Sequence, residues 1–117
     1  MILKKGFTYI SPNKWGPTFW KTIYYVALSY DCEDKISQHF LETFLYSIGG
    51  TLPCGECQEH YQEYFNKNSI KNIYNDKLKV LKWIYELQKE INTRNKKETI
   101  PFNKWYDYIV ELVKDKN

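Results

Sequence analysis

The sequence predicts an all-α fold, a four-helix bundle plus a short fifth helix. At 117 residues the chain has the length of a single domain. Apolar residues recur at three- and four-residue steps in five segments, which is the spacing of one helix face. No segment alternates convincingly between polar and apolar residues, so strands are not expected. We assign residues 1–13 to an N-terminal arm and residues 14–117 to one domain.

The first two helices follow from apolar periodicity and from the residues that bound them. The arm ends in the turn residues Ser11-Pro12-Asn13, and a helix is predicted from Trp15 with Pro17 in its first turn. After a polar interruption, a second helix is predicted from Ile36 to Ile48, ended by Gly49-Gly50. The apolar positions of these two helices are Phe19, Trp20, Ile23, Tyr24, Ala27, Leu28, Phe40, Phe44, Leu45 and Ile48.

Three further helices complete the prediction. The third runs from about Pro53 to residues 66–68, and a polar connection at 72–75 leads to the fourth. Residues 92–99 are rich in lysine and asparagine, consistent with a solvated helix end and loop, and a fifth helix spans about 101–114. The apolar positions of the last two helices are Leu78, Leu81, Trp83 or Ile84, Leu87, Ile91, Trp105, Tyr108, Ile109 and Leu112.

Composition limits the classes of function. The net charge of +3 is mild and the lysines are scattered, so nucleic-acid binding is not indicated. No run approaches the length of a membrane span, and the first residues lack the apolar segment of a secretory signal, so we expect a cytoplasmic protein. Aromatic residues make up 18% of the chain, and such residues both pack cores and wall sites for planar ligands.

Cys54 and Cys57 form a Cys-X-X-Cys pair that directly follows Pro53. The residues after it are good helix formers, so Cys54 is predicted at or near a helix N-terminus. Backbone N–H groups and the positive end of the helix dipole favour a thiolate there, a typical setting for disulfide exchange. Because Cys32 is left over, the odd cysteine count argues against a secreted disulfide framework.

Three interpretations of the pair compete. A zinc site needs two more ligands, and the candidates Cys32, His39 and His60 lack the spacing of a zinc motif. A thioredoxin-like domain needs βαβ elements, which the helical pattern does not provide. The third interpretation is a redox pair in a helical bundle, beside a cofactor that accepts its electrons. The pair by itself does not select among these.

The residues around the pair resemble those of the FAD-dependent sulfhydryl oxidases of the Erv/ALR family. The resemblance rests on Trp15-Gly16-Pro17-Thr18-Phe19-Trp20, on Cys54-Gly55-Glu56-Cys57-Gln58-Glu59-His60-Tyr61, and on Trp83 with Ile91-Asn92 downstream. These blocks occur in the order and at about the spacing of the family. The chain is similar in particular to the short forms carried by large DNA viruses, so a viral protein of the host cytoplasm or the virion is expected.

The resemblance implies a bundle that holds FAD between its helices, usually as a homodimer. It implies that Cys54 and Cys57 are catalytic, with Cys57 next to the flavin and Cys54 the more exposed. A substrate dithiol would attack Cys54, and electrons would pass through Cys57 and the flavin to dioxygen, giving a protein disulfide and hydrogen peroxide. No metal is implied.

Thirteen residues are carried over as cofactor contacts by their match to the family pattern. They are Trp15, Gly16, Trp20, Tyr24, His60, Tyr61, Trp83, Tyr85, Gln88, Asn92, Lys96, Lys97 and Trp105. Three positions depart from the family, because Tyr24 and Gln88 stand where it usually has histidines and Lys89 where it has an asparagine. Core packing alone would also explain Trp20 and Trp83, and solvation alone would explain Lys96 and Lys97.

The sequence therefore predicts a thiol oxidase, with an alternative from another class. Since there is no second cysteine pair, we expect the enzyme to need a separate dithiol protein, either the substrate itself or a thioredoxin-like carrier. The alternative is a non-catalytic interaction module whose flavin site has decayed, as the departures at Tyr24, Gln88 and Lys89 suggest.

Overall fold

The computed structural model describes residues 4–115, which form five helices and no strand. The helices are α1 (Pro12–Ser29), α2 (Lys35–Thr51), α3 (Gly55–Lys67), α4 (Lys77–Arg94) and α5 (Phe102–Leu112). In the packing, α2 lies against α3, α1 lies against α4, and the shorter α5 also contacts α4. The predicted all-α class, with a short fifth helix, is confirmed.

The division into arm and domain stays a prediction. The arm's residues 1–3 and the domain's residues 116–117 lie outside the described residues. None of the helices within residues 4–115 combines the length and the apolar character needed to cross a membrane.

Helix α1 begins three residues earlier than predicted. Ser11 is the N-cap and its side chain accepts a hydrogen bond from the Asn13 N–H (3.4 Å), while Pro12 occupies the first helical position. The predicted first-turn place of Pro17 is therefore wrong, because Pro17 lies inside the helix. Its missing N–H leaves the carbonyl of Asn13 without its usual helical partner.

Helix α2 continues through the two glycines that were expected to end it. Both Gly49 and Gly50 are helical, and the helix ends at Thr51 before Leu52-Pro53. A Cβ atom on Gly49 would lie 2.9 Å from Cγ of Gln62, whereas one on Gly50 would meet nothing within 4 Å. Gly49 thus permits the close approach of α2 and α3 instead of terminating α2.

The core is built from the inner faces of all five helices. Leu45, Val80, Leu81, Ile84 and Ile109 are its most completely buried large side chains. Three predicted apolar positions lie outside it, since Phe40 is 68%, Leu78 is 55% and Tyr108 is 48% exposed. Neighbouring residues on the same helices, Leu41 and Val80, take the buried places.

Candidate active site

The cysteine pair lies at the N-terminus of α3, as predicted. Cys54 is the N-cap residue, and its Sγ accepts a hydrogen bond from the backbone N–H of Cys57 (3.2 Å). The two cysteines are joined by a disulfide, with their Cα atoms 5.2 Å apart. Because a sulfur at this position faces free N–H groups and the positive end of the helix dipole, a thiolate released from the disulfide is stabilised there.

The N-terminal arm is tied down beside this disulfide. The backbone N–H of Ile10 donates to the carbonyl of Pro53, and the Trp15 Nε1–H donates to the carbonyl of Ile10, both at 2.8 Å. Cys54 is only 6% exposed, whereas Cys57 is half-buried. The expectation that Cys54 is the more exposed sulfur is therefore wrong here, and the arm lies against the residue that precedes Cys54.

Both cysteines form part of the wall of a cavity of about 990 Å³. This volume is at the upper end of the range of ligand pockets, ~300–1,000 Å³, so the cavity takes a large ligand. Its apolar residues come from four helices and from the α2–α3 connection, and they are Trp15, Phe19, Trp20, Ile23, Ile48, Leu52, Tyr61, Leu87 and Ile91. Polar and charged residues complete the wall, namely Asn13, Glu56, His60, Gln88, Asn92, Arg94, Asn95 and Lys97.

Most of the predicted cofactor contacts meet on this wall. They are Trp15, Gly16, Trp20, His60, Tyr61, Gln88, Asn92 and Lys97. The structure brings together residues from α1, α3 and α4 with a residue that follows α4. Their contact with a cofactor stays a prediction.

Five predicted contacts do not line the cavity, and the side chains of four of them make other contacts in the fold. Trp83 packs against Tyr64 and donates through Nε1 to the carbonyl of Asn68 (2.8 Å). The hydroxyl of Tyr85 donates to the carbonyl of Ile100 (2.8 Å). These hydrogen bonds hold both side chains away from the cavity wall, a position that the sequence had not predicted, and their contact with a cofactor stays a prediction.

Lys96 also departs from the prediction, since it is exposed and lies off the cavity wall, whereas its neighbour Lys97 lies on it. The backbone reverses at Lys96, with a φ of 58°, so the two lysines do not share a direction. The structure therefore separates the two lysines, and the contact of either with a cofactor stays a prediction.

Tyr24 and Trp105 lie behind the wall, where they hold Gln88. The hydroxyl of Tyr24 and the Nε1–H of Trp105 (2.9 Å) both donate to Oε1 of Gln88. Tyr24 and Trp105 are each 3% exposed. Burial raises the pKa of Tyr24 above its ordinary value, so its hydroxyl stays a donor. The structure places Tyr24 and Trp105 off the cavity wall as supports of Gln88, and their predicted direct contact with a cofactor stays a prediction.

Several wall residues were missed by sequence reasoning. Arg94 lines the cavity and lies within 4.0 Å of Glu63 and 3.7 Å of Glu90, and Tyr9, Asn13, Glu56 and Asn95 were also not predicted. One signal was available, because residues 87, 88, 91, 92 and 95 recur at three- and four-residue steps on one face of α4. Of that face, Leu87 and Ile91 were assigned to the core and Gln88 and Asn92 to the cofactor, and the pattern was not extended to Asn95.

Residues 4–115 contain no set of side chains that would support the zinc interpretation. No three His, Cys, Asp or Glu side chains are grouped there so that they could hold a metal ion. Of the candidates, His60 lies on the cavity wall with Nε2 3.9 Å from Glu56, and Cys32 is a free, half-buried thiol.

The family profile described as Erv1 / Alr matches residues 17–110, which is most of the chain and includes the cysteine pair. The chain belongs to the Erv1/Alr family. This confirms the resemblance that the two motif blocks indicated.

Three viral relatives of this Erv1/Alr chain carry names that describe them as FAD-linked sulfhydryl oxidases. The protein 096R of Invertebrate iridescent virus 3 is 27% identical over 73% of this chain and 58% of its own length. The protein R368 of Acanthamoeba polyphaga mimivirus is 28% identical over 80% of this chain and 66% of its own length. The protein 347L of Invertebrate iridescent virus 6 is 32% identical over 80% of this chain and 90% of its own length.

The chain thus spans less than two thirds of the first two relatives and nearly all of the third. No solved structure matches this Erv1/Alr chain.

Proposed function

We propose that this protein is an FAD-linked thiol oxidase that forms disulfides in protein substrates and passes the electrons to dioxygen, with release of hydrogen peroxide. One observation carries the proposal: a disulfide at a helix N-terminus forms part of the wall of a large aromatic cavity, in a member of the Erv1/Alr family. The relatives' names as FAD-linked sulfhydryl oxidases support it.

The residues of the cavity fit FAD by their chemistry. Trp15, Phe19 and Trp20 offer flat apolar surface, as the ring of a flavin requires. Arg94 and Lys97 offer positive charge, as a diphosphate requires. When bound, FAD supplies a two-electron acceptor that dioxygen can reoxidise, which no side chain of this protein can do.

The protein's own part is thiol–disulfide exchange. A substrate thiolate attacks Sγ of Cys54, forming a mixed disulfide and releasing Cys57 as a thiolate. The second substrate thiol, once deprotonated, attacks the substrate sulfur of the mixed disulfide, so the substrate disulfide closes and Cys54 leaves as a thiolate. The Cys57 N–H that already donates to Cys54 Sγ (3.2 Å) stabilises the charge on Cys54. Cys57, the more exposed sulfur of the two, is assigned to the cofactor side.

We further propose that a separate protein supplies the dithiol. The chain holds three cysteines, and the one outside the catalytic pair, Cys32, is a single thiol that cannot relay a dithiol by itself. The direct partner is then the protein substrate or a thioredoxin-like carrier. If a Cys32→Ser variant oxidises a folded protein dithiol rapidly without a carrier, the direct partner is the substrate itself. If the oxidation is slow and a thioredoxin-like carrier accelerates it, the direct partner is the carrier.

A homodimer is also proposed, on the basis of apolar side chains left exposed on α1 and α2. Tyr25 is 44%, Ile36 is 67% and Phe40 is 68% exposed. Exposed apolar side chains that form one contiguous patch commonly mark an interface, which is what the proposal assumes of these three. A molar mass of one chain, measured by light scattering at micromolar concentration, would contradict the dimer. If the protein is a dimer, the double substitution Ile36→Glu and Phe40→Glu should dissociate it into monomers.

The viral origin of the named relatives supports the host cytoplasm or the virion as the site of action. Fractionation of infected or expressing cells, followed by immunodetection of the protein, tests this location. Recovery of the protein from secretory compartments alone would contradict it.

The decisive experiment is purification followed by an oxygen-electrode assay with a small dithiol. We expect yellow protein that contains FAD and consumes oxygen. Cys54→Ser and Cys57→Ser should each lower turnover about a hundredfold or more, since either change removes the exchangeable disulfide. Cys32→Ser is the matched control and should keep most activity. Colourless protein that consumes no oxygen would instead support the non-catalytic interaction module.

A further inference from the structure

The carboxamide of Gln88 is held in one orientation by two buried aromatic residues. The Trp105 indole N–H can only donate, so the Gln88 atom 2.9 Å from it must be the oxygen, Oε1. This assignment removes the usual ambiguity between the oxygen and nitrogen of a glutamine side chain. Since Oε1 also meets the Tyr24 hydroxyl, that hydroxyl must donate to it.

The nitrogen of the same carboxamide is left without a protein partner in the described part of the chain. Both hydrogen bonds of the Gln88 side chain go to Oε1. Gln88 is half-buried and lies on the cavity wall, so the two N–H groups of Nε2 remain for whatever fills the cavity. A ligand that covers these N–H groups without offering them an acceptor binds more weakly, because the donor then loses its hydrogen bonds to water.

Trp20 indicates what kind of group meets this donor. Its ring lies on the cavity wall and stacks with Tyr24, with ring centroids 6.2 Å apart and an interplanar angle of 24°. The Tyr24 hydroxyl in turn contacts Gln88. Trp20 and Gln88 thus lie on the same cavity wall and are linked through Tyr24, which brings a flat apolar surface and a free N–H donor to one part of the cavity.

We propose that Gln88 is a specificity-determining residue whose Nε2 donates to an acceptor on the edge of a planar heterocycle bound against Trp20. In this proposal, which rests on the proposed function, Tyr24 and Trp105 are positioning residues that keep Oε1 away from the ligand. Because a carboxamide does not titrate, the donor is present at every pH at which the protein is folded.

The isosteric change Gln88→Glu tests the donor. A carboxylate can still accept from Tyr24 and Trp105, but its second oxygen presents no hydrogen to the ligand. We expect the cofactor-free variant to melt near the wild-type temperature, while its dissociation constant for FAD, measured by flavin fluorescence quenching, rises about tenfold or more. An unchanged dissociation constant would overturn the proposal.

Gln88→Met separates loss of the donor from the added negative charge. Methionine is neutral, of similar size, and neither donates nor accepts strongly. We expect weaker FAD binding here too, together with lower thermal stability, because Tyr24 and Trp105 lose their acceptor. Full FAD affinity in Gln88→Met alongside weak affinity in Gln88→Glu would attribute the effect to charge alone and would overturn the proposal.

A measurement on the wild-type chain does not depend on the folding of any variant. In ¹⁵N-glutamine-labelled protein, the side-chain NH₂ signal of Gln88 should shift and its hydrogen exchange should slow when FAD binds. The heterocycle has two possible sources, so FMN and ADP are tested separately, and the ligand that reproduces the shift identifies the ring. An NH₂ signal that none of the three ligands changes overturns the proposal.

The outcome also separates this proposal from the function on which it rests. If wild-type protein binds no flavin at all, the proposed function fails. If flavin binds but neither the Gln88 signal nor the affinity of Gln88→Glu responds, only the specificity role fails.

Discussion

Lys96 and Lys97 look equivalent in sequence, but one backbone torsion separates them. Helix α4 ends in the motif in which Lys97 N–H donates to the carbonyl of Asn92 (2.8 Å) and Lys96 N–H donates to that of Thr93 (3.1 Å). Lys96 takes the left-handed position of this motif, with a φ of 58°. Glycine is usual there because a Cβ atom is strained in that conformation. The lysine that reaches the cavity is therefore Lys97.

Lys96→Gly should raise the free energy of unfolding by about 0.5–1 kcal/mol, because it relieves the left-handed strain at the cost of some unfolded-chain entropy. Urea denaturation measures the change. Lys96→Ala keeps the Cβ atom and is the control that should show no gain. FAD affinity should stay unchanged in both variants, and a loss of affinity would show that Lys96 contacts the cofactor after all.

At the scale of elements, the α2–α3 contact depends on Gly49, since a side chain at this position would collide with Gln62 of α3. The Gln62 side chain lies over it and donates through Nε2 to the Gly49 carbonyl (2.7 Å). The α3 N-terminus, with its cysteine pair, follows α2 after three residues. A shift of α3 away from α2 would therefore also move the disulfide relative to the cavity.

Gly49→Ala and Gly50→Ala form a matched pair of neighbouring helical substitutions. The new Cβ at position 49 would lie 2.9 Å from Gln62 Cγ and 3.3 Å from Tyr61 Cδ1, so we expect destabilisation by about 1–3 kcal/mol. The Cβ at position 50 meets nothing, so alanine's helix propensity should stabilise by up to about 1 kcal/mol. Thermal unfolding followed by circular dichroism compares them, and equal effects would contradict the close-packing role of Gly49.

The N-terminal arm is the second element that controls the site, because it is anchored at Pro53, next to a cysteine that is 6% exposed. Its anchor is a single backbone hydrogen bond, from Ile10 to Pro53, supported by the bond from Trp15 to Ile10. Under the proposed function, we expect a bulky dithiol that attacks Cys54 to displace this segment. A small dithiol has less need to do so.

Ile10→Pro removes the N–H that anchors the arm. Loss of a hydrogen bond worth about 1 kcal/mol should increase the open population of the arm about fivefold. We expect the Cys54–Cys57 disulfide to be reduced correspondingly faster by a protein dithiol and with little change by dithiothreitol, as measured by stopped-flow reduction. Ile10→Ala keeps the N–H and is the control. Equal rates for Ile10→Pro and Ile10→Ala would show that the arm does not limit access.

At the scale of the whole molecule, the core contains several tyrosines whose hydroxyls are removed from water. Burial raises the pKa of Tyr30 and of Tyr64 to about 12 each, and it also raises the pKa of Tyr61 and Tyr74. In the unfolded chain a tyrosine ionises near pH 10. Between these values the native state holds protons that the unfolded state has released.

The free energy of unfolding should therefore be unaffected by these groups below about pH 10 and should fall as the pH rises from 10 towards 12. Urea titrations at a series of alkaline pH values, with tyrosinate absorbance as a second probe, measure this. Tyr64→Phe should make the decline shallower, because it removes one such group. A stability that stays constant from pH 10 to 12 would contradict the assignment.

The sequence by itself determined the helical class, the family and the place of the cysteine pair at a helix N-terminus. These depend on local information, because periodicity, helix caps and the Cys-X-X-Cys spacing each involve residues within a turn or two of one another. Of the residues that the sequence predicted as cofactor contacts, Trp15, Trp20, His60, Asn92 and Lys97 lie on the cavity wall, and the contacts themselves stay predictions. Motif order was sufficient for these, since each lies on a helix face or helix end that the motifs define.

Only the tertiary structure decided which of the remaining residues meet the cavity. Tyr24 and Gln88 are 64 positions apart, and their hydrogen bond sets which end of the carboxamide faces a ligand. Trp83 and Tyr85 bind backbone carbonyls elsewhere, and Cys54 lies against the anchored arm. These outcomes depend on contacts between segments that are distant in the chain. A local pattern of apolar and polar residues predicts that an aromatic side chain is buried, but it does not predict whether that side chain lies on the cavity wall or in the core behind it.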